Sequence, residues 1–298
     1  MTDHSLVQIS SQQLSAEIHP FGAQLFSLRD KMGRDLQWNG DPAIWKGRAP
    51  ILFPIVGALA GNQYRLDGEV YSLPRHGFAR NRLFSLIAAD AASALFRLDW
   101  SEETLSHYPF RFQLDLQFSV AGATLQMVAT VRNLEKDKVL PASFGFHPAF
   151  RWPLPYGEPR EAHSLTFEKD EPAPIRRLDG DGLVMPKDFE TPVKNRKLQL
   201  RDALFTADAI IFDQMASRRL CYGAEHGPRL EIEYSGMPYL GVWTKPGAGY
   251  VCIEPWYGLA DPQGYSGDFY AKPDLNLLPP GASKAFAMTV SLVAQDES

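Results

Sequence analysis

The feature that most constrains this chain is an alternation of apolar and polar residues with a period of two. In "FQLDLQFSV", Phe112, Leu114, Leu116, Phe118 and Val120 fall on one side, and Gln113, Asp115, Gln117 and Ser119 on the other. "RLEIEYSG" sets Leu230, Ile232 and Tyr234 against Glu231 and Glu233. "KAFAMTVSLV" repeats the pattern through Phe286, Met288, Val290 and Leu292, and "TLQMVATVRNL" through Leu125, Met127, Ala129 and Val131. Successive side chains of a strand point to opposite faces, so such segments require a sheet with one buried face. Helical signals are weak: "SEETLSHY" has room for one or two turns, and "TPVKNRKLQL" reads as loop leading into strand. The 23 prolines and 23 glycines punctuate nearly every apolar run. Many short strands between such turns predict an all-β fold, an antiparallel sandwich or barrel. No composition shift and no repeat of fixed period divides the chain, so one domain over residues 1–298 is expected. The segment 153–198, richest in Pro, Gly and charge, is expected to be a long, partly irregular excursion.

Charge excludes some functions. The net charge is −5 with Lys and Arg scattered, whereas phosphate neutralisation needs clustered positive charge, so nucleic acid is not an expected partner. No stretch reaches the roughly 18 consecutive apolar residues of a membrane helix. "MTDHSLVQISS" lacks the basic and apolar regions of a secretory signal, and two cysteines, Cys221 and Cys252, make no disulfide framework. A cytoplasmic location with reduced thiols is the expectation. The pattern is compatible with a monomer or a homodimer. No nucleophile elbow, phosphate loop or dinucleotide fingerprint occurs, and no cofactor is expected.

Three stretches combine ionisable residues with aromatics, Gly and Pro: "PRHGFAR" (74–80), "FGFHPAF" (144–150) and "VCIEPWYGLAD" (251–261). Such mixtures at strand ends are where ligand sites are built. In "VCIEPW" alternation sets Val251 and Ile253 against Cys252 and Glu254, leaving a carboxylate at the end of an apolar strand. Desolvation there would raise its pKa and make it a better base; the plain alternative is a solvated strand-end glutamate. His147, bracketed by phenylalanines, is either a hydrogen-bonded core group or, facing a cleft, a proton donor or acceptor. His76 lies between Arg75 and Arg80 and is equally well a turn histidine among surface arginines. A metal triad of His76, His147 and Glu254 is the lesser option, because no H-x-H, H-x-x-x-H or C-x-x-C spacing occurs. Trp38, Trp45, Trp243 and Trp256 either line a cleft or pack in the core.

Taken in order, "RAPILFPIVGAL" (48–59), "LPRHGFAR" (73–80), "LPASFGFHPAF" (140–150), "ADAIIF" (207–212) and "PYLGVWTKPGAGYVCIEPWYGLAD" (238–261) resemble the aldose 1-epimerase (galactose mutarotase-like) family. The likeness is greatest to its LacX-like and hexose-6-phosphate 1-epimerase-like branch. The resemblance implies a large antiparallel β-sandwich with a sugar cleft, and cofactor-free interconversion of the α and β anomers of an aldose. The partner would be a monosaccharide or a hexose phosphate. It further implies Glu254 as catalytic base and His147 as proton donor, with His76, Arg48 and Asp208 as substrate-binding residues, Asp213 being the alternative to Asp208; Arg80 joins the substrate-binding candidates as a cation of the 74–80 turn. The free-galactose branch carries Gly-Gly after the first histidine, Asn before the second and Tyr after the proline. Here Gly77 and Phe78, Phe146 and Ala149 stand at those places. Arg48, Arg75 and Arg80 could instead present a phosphate-binding cluster, since a planar guanidinium suits bidentate phosphate contact. A non-catalytic carbohydrate-binding protein is the alternative from another class. Gly145 is expected to leave room for a sugar ring, with Phe144 and Phe146 sharing a face turned away from it.

Overall fold

The alternating segments become the middle of one sheet. A computed structural model describes residues 5–294. In it Arg229–Ser235, Ser283–Val293, Thr124–Asn133 and Phe112–Ala121 lie side by side, all antiparallel. Ser93–Asp99 and Ser85–Ala89 extend this sheet at one end, and Arg219–Gly223, Ser164–Phe167 and Lys197–Gln199 at the other, giving nine strands. The apolar sets named above are buried as the period requires: Phe112, Leu114, Leu116, Phe118, Leu125, Met127, Ala129 and Val131 are at most 3 % exposed. Full burial of such a side chain contributes roughly 1.5–3 kcal/mol. One polar position departs from the alternation. Asp115 is buried because Arg97, opposite it on the next strand, donates two hydrogen bonds of 2.6 and 2.9 Å to its carboxylate.

A second sheet of six strands packs against the first. Its central strand, Tyr250–Tyr257, is flanked by Tyr239–Trp243 on one side and by Phe144–Phe146 and Ala149–Arg151 on the other; Ile210–Phe212 and Ile51–Leu52 complete it. Aromatic rings join the two layers. Phe144 stacks on Phe286 at 5.0 Å, and Phe167 lies 5.5 Å from Phe212. The architecture is thus all-β, an antiparallel sandwich, with a three-stranded sheet (Val7–Ser10, Leu14–His19, Gln24–Asp30) at the N-terminal end. "SEETLSHY" gives one turn of helix, Glu102–Leu105, closed by a reciprocal Ser101–Thr104 cap.

The excursion over 153–198 is irregular only in part. It contains the strand Ser164–Phe167, which joins the nine-stranded sheet. Four residues are too few for a period of two to register, so this strand is missed in the sequence. Downstream, Arg176 bridges to Ile211 and Val184 to Pro262, laying the loop over the edge of the smaller sheet. No helix among the described residues is long and apolar enough to cross a membrane.

Candidate functional site

The strand Tyr250–Tyr257 has two differently used faces. Val251 and Ile253 enter the core between the sheets. Glu254 and Trp256 point the other way, into a cavity of about 320 Å³ on the outer face of the six-stranded sheet. That volume is at the lower end of the range for small-molecule sites. Trp45, His147, His76, Arg75, Arg80, Asp208 and Trp243 also line it.

His147 occupies a break in the sheet. Phe144–Phe146 and Ala149–Arg151 both pair with Tyr250–Tyr257, in registers that leave 147 and 148 between them. The ladder is maintained there by the Ile253 N–H, which donates to the Pro148 carbonyl at 3.2 Å. His147 thereby faces Glu254 on the adjacent strand, with Nε2 3.1 Å from Oε2. Both are buried, the glutamate side chain to 2 % exposure and the imidazole to 9 %. Phe144 and Phe146 pack in the core, 4.9 Å apart.

His76 is brought in by a tight turn. Gly77 has φ +71°, and a Cβ there would stand 2.2 Å from the Phe53 carbonyl oxygen, so only glycine fits. The His76 N–H donates to the Gly57 carbonyl, and its Nδ1 accepts from the Gly57 N–H at 3.1 Å. This assigns the tautomer with the proton on Nε2, and sets the ring perpendicular to His147 at 5.8 Å.

Burial dominates the electrostatics. It pushes the Glu254 carboxyl well above its ordinary range, with Arg75 opposing and Asp208 reinforcing. It pushes His147 down to about 3, and Arg80 and Arg75 add to that. His76 is likewise held well below 6.5 by burial, with His147 and the two arginines contributing. Burial disfavours the charged form of both Glu254 and His147, and because they are in contact their titrations belong to the pair rather than to either residue.

Of the sequence-derived candidates, Glu254, His147, His76, Asp208 and Arg80 converge on this cavity. Asp208 takes a left-handed conformation, φ +63°, just before Ile210–Phe212; its carboxylate lies 3.8 Å from Arg75 and accepts from the Ala209 N–H. Asp213 is held instead by Arg176 at 2.7 Å, and borders a different hollow. Arg48 is not brought to the cavity wall. Its guanidinium stacks on Phe26 at 3.7 Å and donates to the Phe26 carbonyl. Trp45, Trp243 and Trp256 line the cavity, whereas Trp38 packs behind it on Tyr250. Gly145 makes room for something other than the expected sugar ring: a Cβ there would fall 2.6 Å from the Trp256 indole.

Two contributors escape sequence reading. Arg177 donates to the Asp208 and Ala209 carbonyls and fixes that corner. Behind the wall, Lys272 and Asp261 form an ion pair of 2.9 Å whose side chains are 1 and 4 % exposed. Neither carries a local signal, since the partners come from distant loops. Among the described residues, the ligand-type atoms within 4.8 Å of one another belong to His147, Cys252 and Glu254. Cys252 rather than His76 completes that group, and it is fully buried among Trp38, Ala149, Ala248 and Tyr250, outside the cavity lining.

Comparison with known proteins agrees with this picture. The family model for aldose 1-epimerase matches residues 5–275. The chromosomal protein LacX of Lactococcus lactis subsp. lactis is 33 % identical over 263 residues, covering 85 % of this chain and 88 % of that protein. Among solved structures, a galactose mutarotase related enzyme from Lactobacillus acidophilus superposes with a TM-score of 0.89 at 26 % identity, over 99 % of each chain. A galactose mutarotase-like protein from Lactobacillus casei ATCC 334 gives 0.89 at 28 % identity, over 97 % of this chain and 100 % of that one.

Proposed function

Because the chain belongs to the aldose 1-epimerase family, we propose that its cavity interconverts the α and β anomers of an aldohexose by acid–base ring opening. The observation that carries this reading is the buried Glu254–His147 contact at 3.1 Å, on the wall of a cavity of ligand size. Ring opening needs a proton removed from the C1 hydroxyl and a proton delivered to the ring oxygen. A pair that owns one transferable proton supplies both. Moving that proton from Glu254 to His147 creates a carboxylate and an imidazolium without changing the net charge of the site, and Arg75 favours the carboxylate.

Glu254 then takes the proton from O1 as C1=O forms and C1–O5 breaks, while His147 gives its proton to O5. The aldehyde rotates about C1–C2. Reclosure on the other face returns O5's proton to His147 and Glu254's proton to O1. No electrons are consumed, and the pair ends with the proton it started with. His76, Asp208 and Arg80 are the groups available to hold hydroxyls. Each positioned acid or base is worth typically 10²–10⁴-fold. Glu254→Gln and His147→Asn should each lower kcat at least 100-fold with the fold intact by circular dichroism. Anomerisation near the wild-type rate in either variant, followed by polarimetry or NMR exchange, refutes the assignment.

One observation favours a phosphorylated substrate as the second reading: Arg75 and Arg80 both line the cavity. Asp208 partly offsets Arg75, which leaves Arg80 as the cation for a phosphate. Comparing glucose, galactose and glucose 6-phosphate decides between the two. A preference for the phosphate that collapses in Arg80→Gln supports the second, and equal rates on the free sugars remove it. Tight sugar binding by calorimetry without acceleration of mutarotation would point instead to a carbohydrate-binding protein.

A further inference from the structure

Trp256 lies two residues beyond Glu254 on the same strand and the same face, so its indole stands beside the carboxyl in the cavity wall. Its ring is set by two glycines. Gly145 is opposite Trp256 on one neighbouring strand, and Gly241 is opposite Glu254 on the other. A Cβ at Gly241 would fall 2.4 Å from the indole Cη2, and one at Gly145 would fall 2.6 Å from Cδ1. The indole thus spans from one flanking strand to the other in a slot that only glycines leave open. Glycine inside a strand is destabilising by roughly 0.5–1 kcal/mol relative to alanine and marks a close approach of this kind.

The indole N–H is buried; no atom meets it at full hydrogen-bond geometry, yet it already lies near enough to the Glu254 carboxyl to favour its ionised form. A buried donor without a partner is costly, which makes a role in the occupied site its natural explanation. In the free site Glu254 rests against His147. A sugar exchanging protons at O1 and O5 has to part that pair, and the Glu254 carboxylate then needs another donor that does not move. The ionisable groups around it are His147, His76, Arg75, Arg80 and Asp208 from the facing loops, and Cys252 and Tyr250 on its own strand. The Trp256 N–H is a neighbouring donor whose ring is held against the two flanking strands at Gly145 and Gly241, and it acts to favour the ionised carboxyl.

We propose that Trp256 is a positioning residue: held in the Gly145–Gly241 slot, its indole N–H donates to the Glu254 carboxylate once substrate separates Glu254 from His147, and so aims the base at O1. This rests on the anomer-exchanging function proposed above. The test replaces Trp256 with 3-benzothienylalanine, which keeps the ring shape and puts sulfur in place of N–H. A hydrogen bond to a charged group is worth enough that kcat should fall about 10- to 100-fold. KM should change little, and the limb of the pH profile that reports carboxyl ionisation should move to higher pH. Gly241→Ala, which displaces the ring, should shift the profile in the same direction. A benzothienyl variant with wild-type kcat and an unshifted profile overturns the proposal. If the wild-type protein anomerises none of the sugars tested, the functional reading itself fails. The Glu254 carboxyl, titrated by ¹³C NMR, then decides the inference separately. A higher titration in the benzothienyl variant supports it, and an unchanged one overturns it.

Discussion

The buried Lys272–Asp261 pair makes a sharp stability prediction. Asp261 is a structural junction. Its carboxylate accepts from the Ala60 N–H at 2.9 Å, its N–H donates to the Ala58 carbonyl, and its carbonyl accepts from the Val184 N–H. It follows Ala260, which abuts Gly57 so closely that a Cβ on that glycine would lie 2.5 Å from the Ala260 Cβ. Gly57 in turn holds His76. Burial pulls the Lys272 ammonium below its ordinary range while Asp261 pulls it back. Lys272→Met leaves the Asp261 charge buried and unpaired, a loss expected to be about 3–5 kcal/mol. Unfolding entropy near 2.1 cal/mol/K per residue gives roughly 0.6 kcal/mol per kelvin for this chain, so Tm should fall by about 5–8 °C. The double variant Lys272→Met/Asp261→Asn keeps an oxygen for the Ala60 N–H and removes the orphan charge, so it should recover most of that loss. Urea denaturation followed by tryptophan fluorescence at constant m measures all three proteins. A single variant within about 1 kcal/mol of wild type, or a double variant no better than the single, refutes the reasoning.

Other outcomes follow from the same geometry. Gly77→Ala combines a left-handed φ with a Cβ on the Phe53 carbonyl; it should cost at least about 2 kcal/mol by urea midpoint and displace the His76 ring signals in NMR. Stability should fall on acidification through the buried histidines. His76, His147 and His163 all have folded pKa values lowered by burial. Such a group contributes stability that is present above the unfolded value of about 6.5 and lost as pH falls towards the folded one, which for His147 is about 3. Glu254 is raised and runs the other way, its contribution present at low pH and lost as pH rises through the folded value. His163 isolates the histidine effect, because its Nε2 accepts from the Leu154 N–H at 3.0 Å, remote from Glu254. His163→Gln keeps an acceptor there and should flatten the decline in urea midpoint between pH 7 and 5; an equally steep decline would show that His163 is not held neutral.

How much of this was legible depended on how local the cause was. Phe112–Ala121 and its three neighbours could be read because ten or so residues in strict alternation leave one physical solution. The face of Glu254 followed from the same rule, since Val251 and Ile253 had to turn inward. His147 was ambiguous by its own sequence, because a histidine among phenylalanines looks alike in a core and beside a cleft. Its partner across the strands decides, and pairing is not written locally. Arg48 illustrates the converse. A charged residue ahead of an apolar turn fits a ligand contact, yet Phe26 offers its guanidinium a ring and a carbonyl. Gly145 was readable as a space, but its occupant, an indole from the neighbouring strand, was not. The Lys272–Asp261 pair joins residues eleven apart through loops without period, so no pattern could announce it.

The break at His147–Pro148 has a consequence for how such a protein can change. Glu254 lies on one strand and His147 in the break between the two short strands paired with it, so their separation is set by the ladder, whose strands lie roughly 4.7–4.9 Å apart. The groups that would meet the rest of a sugar come from elsewhere: Arg75 and Arg80 from one turn, Asp208 from another, Trp45 from the segment between the N-terminal sheet and Ile51–Leu52. The buried pair and the other groups of the cavity are therefore carried on separate parts of the chain. Under the proposed function, exchanging the 74–80 turn or the 205–209 loop would change the groups a sugar meets while the Glu254–His147 pair keeps its spacing.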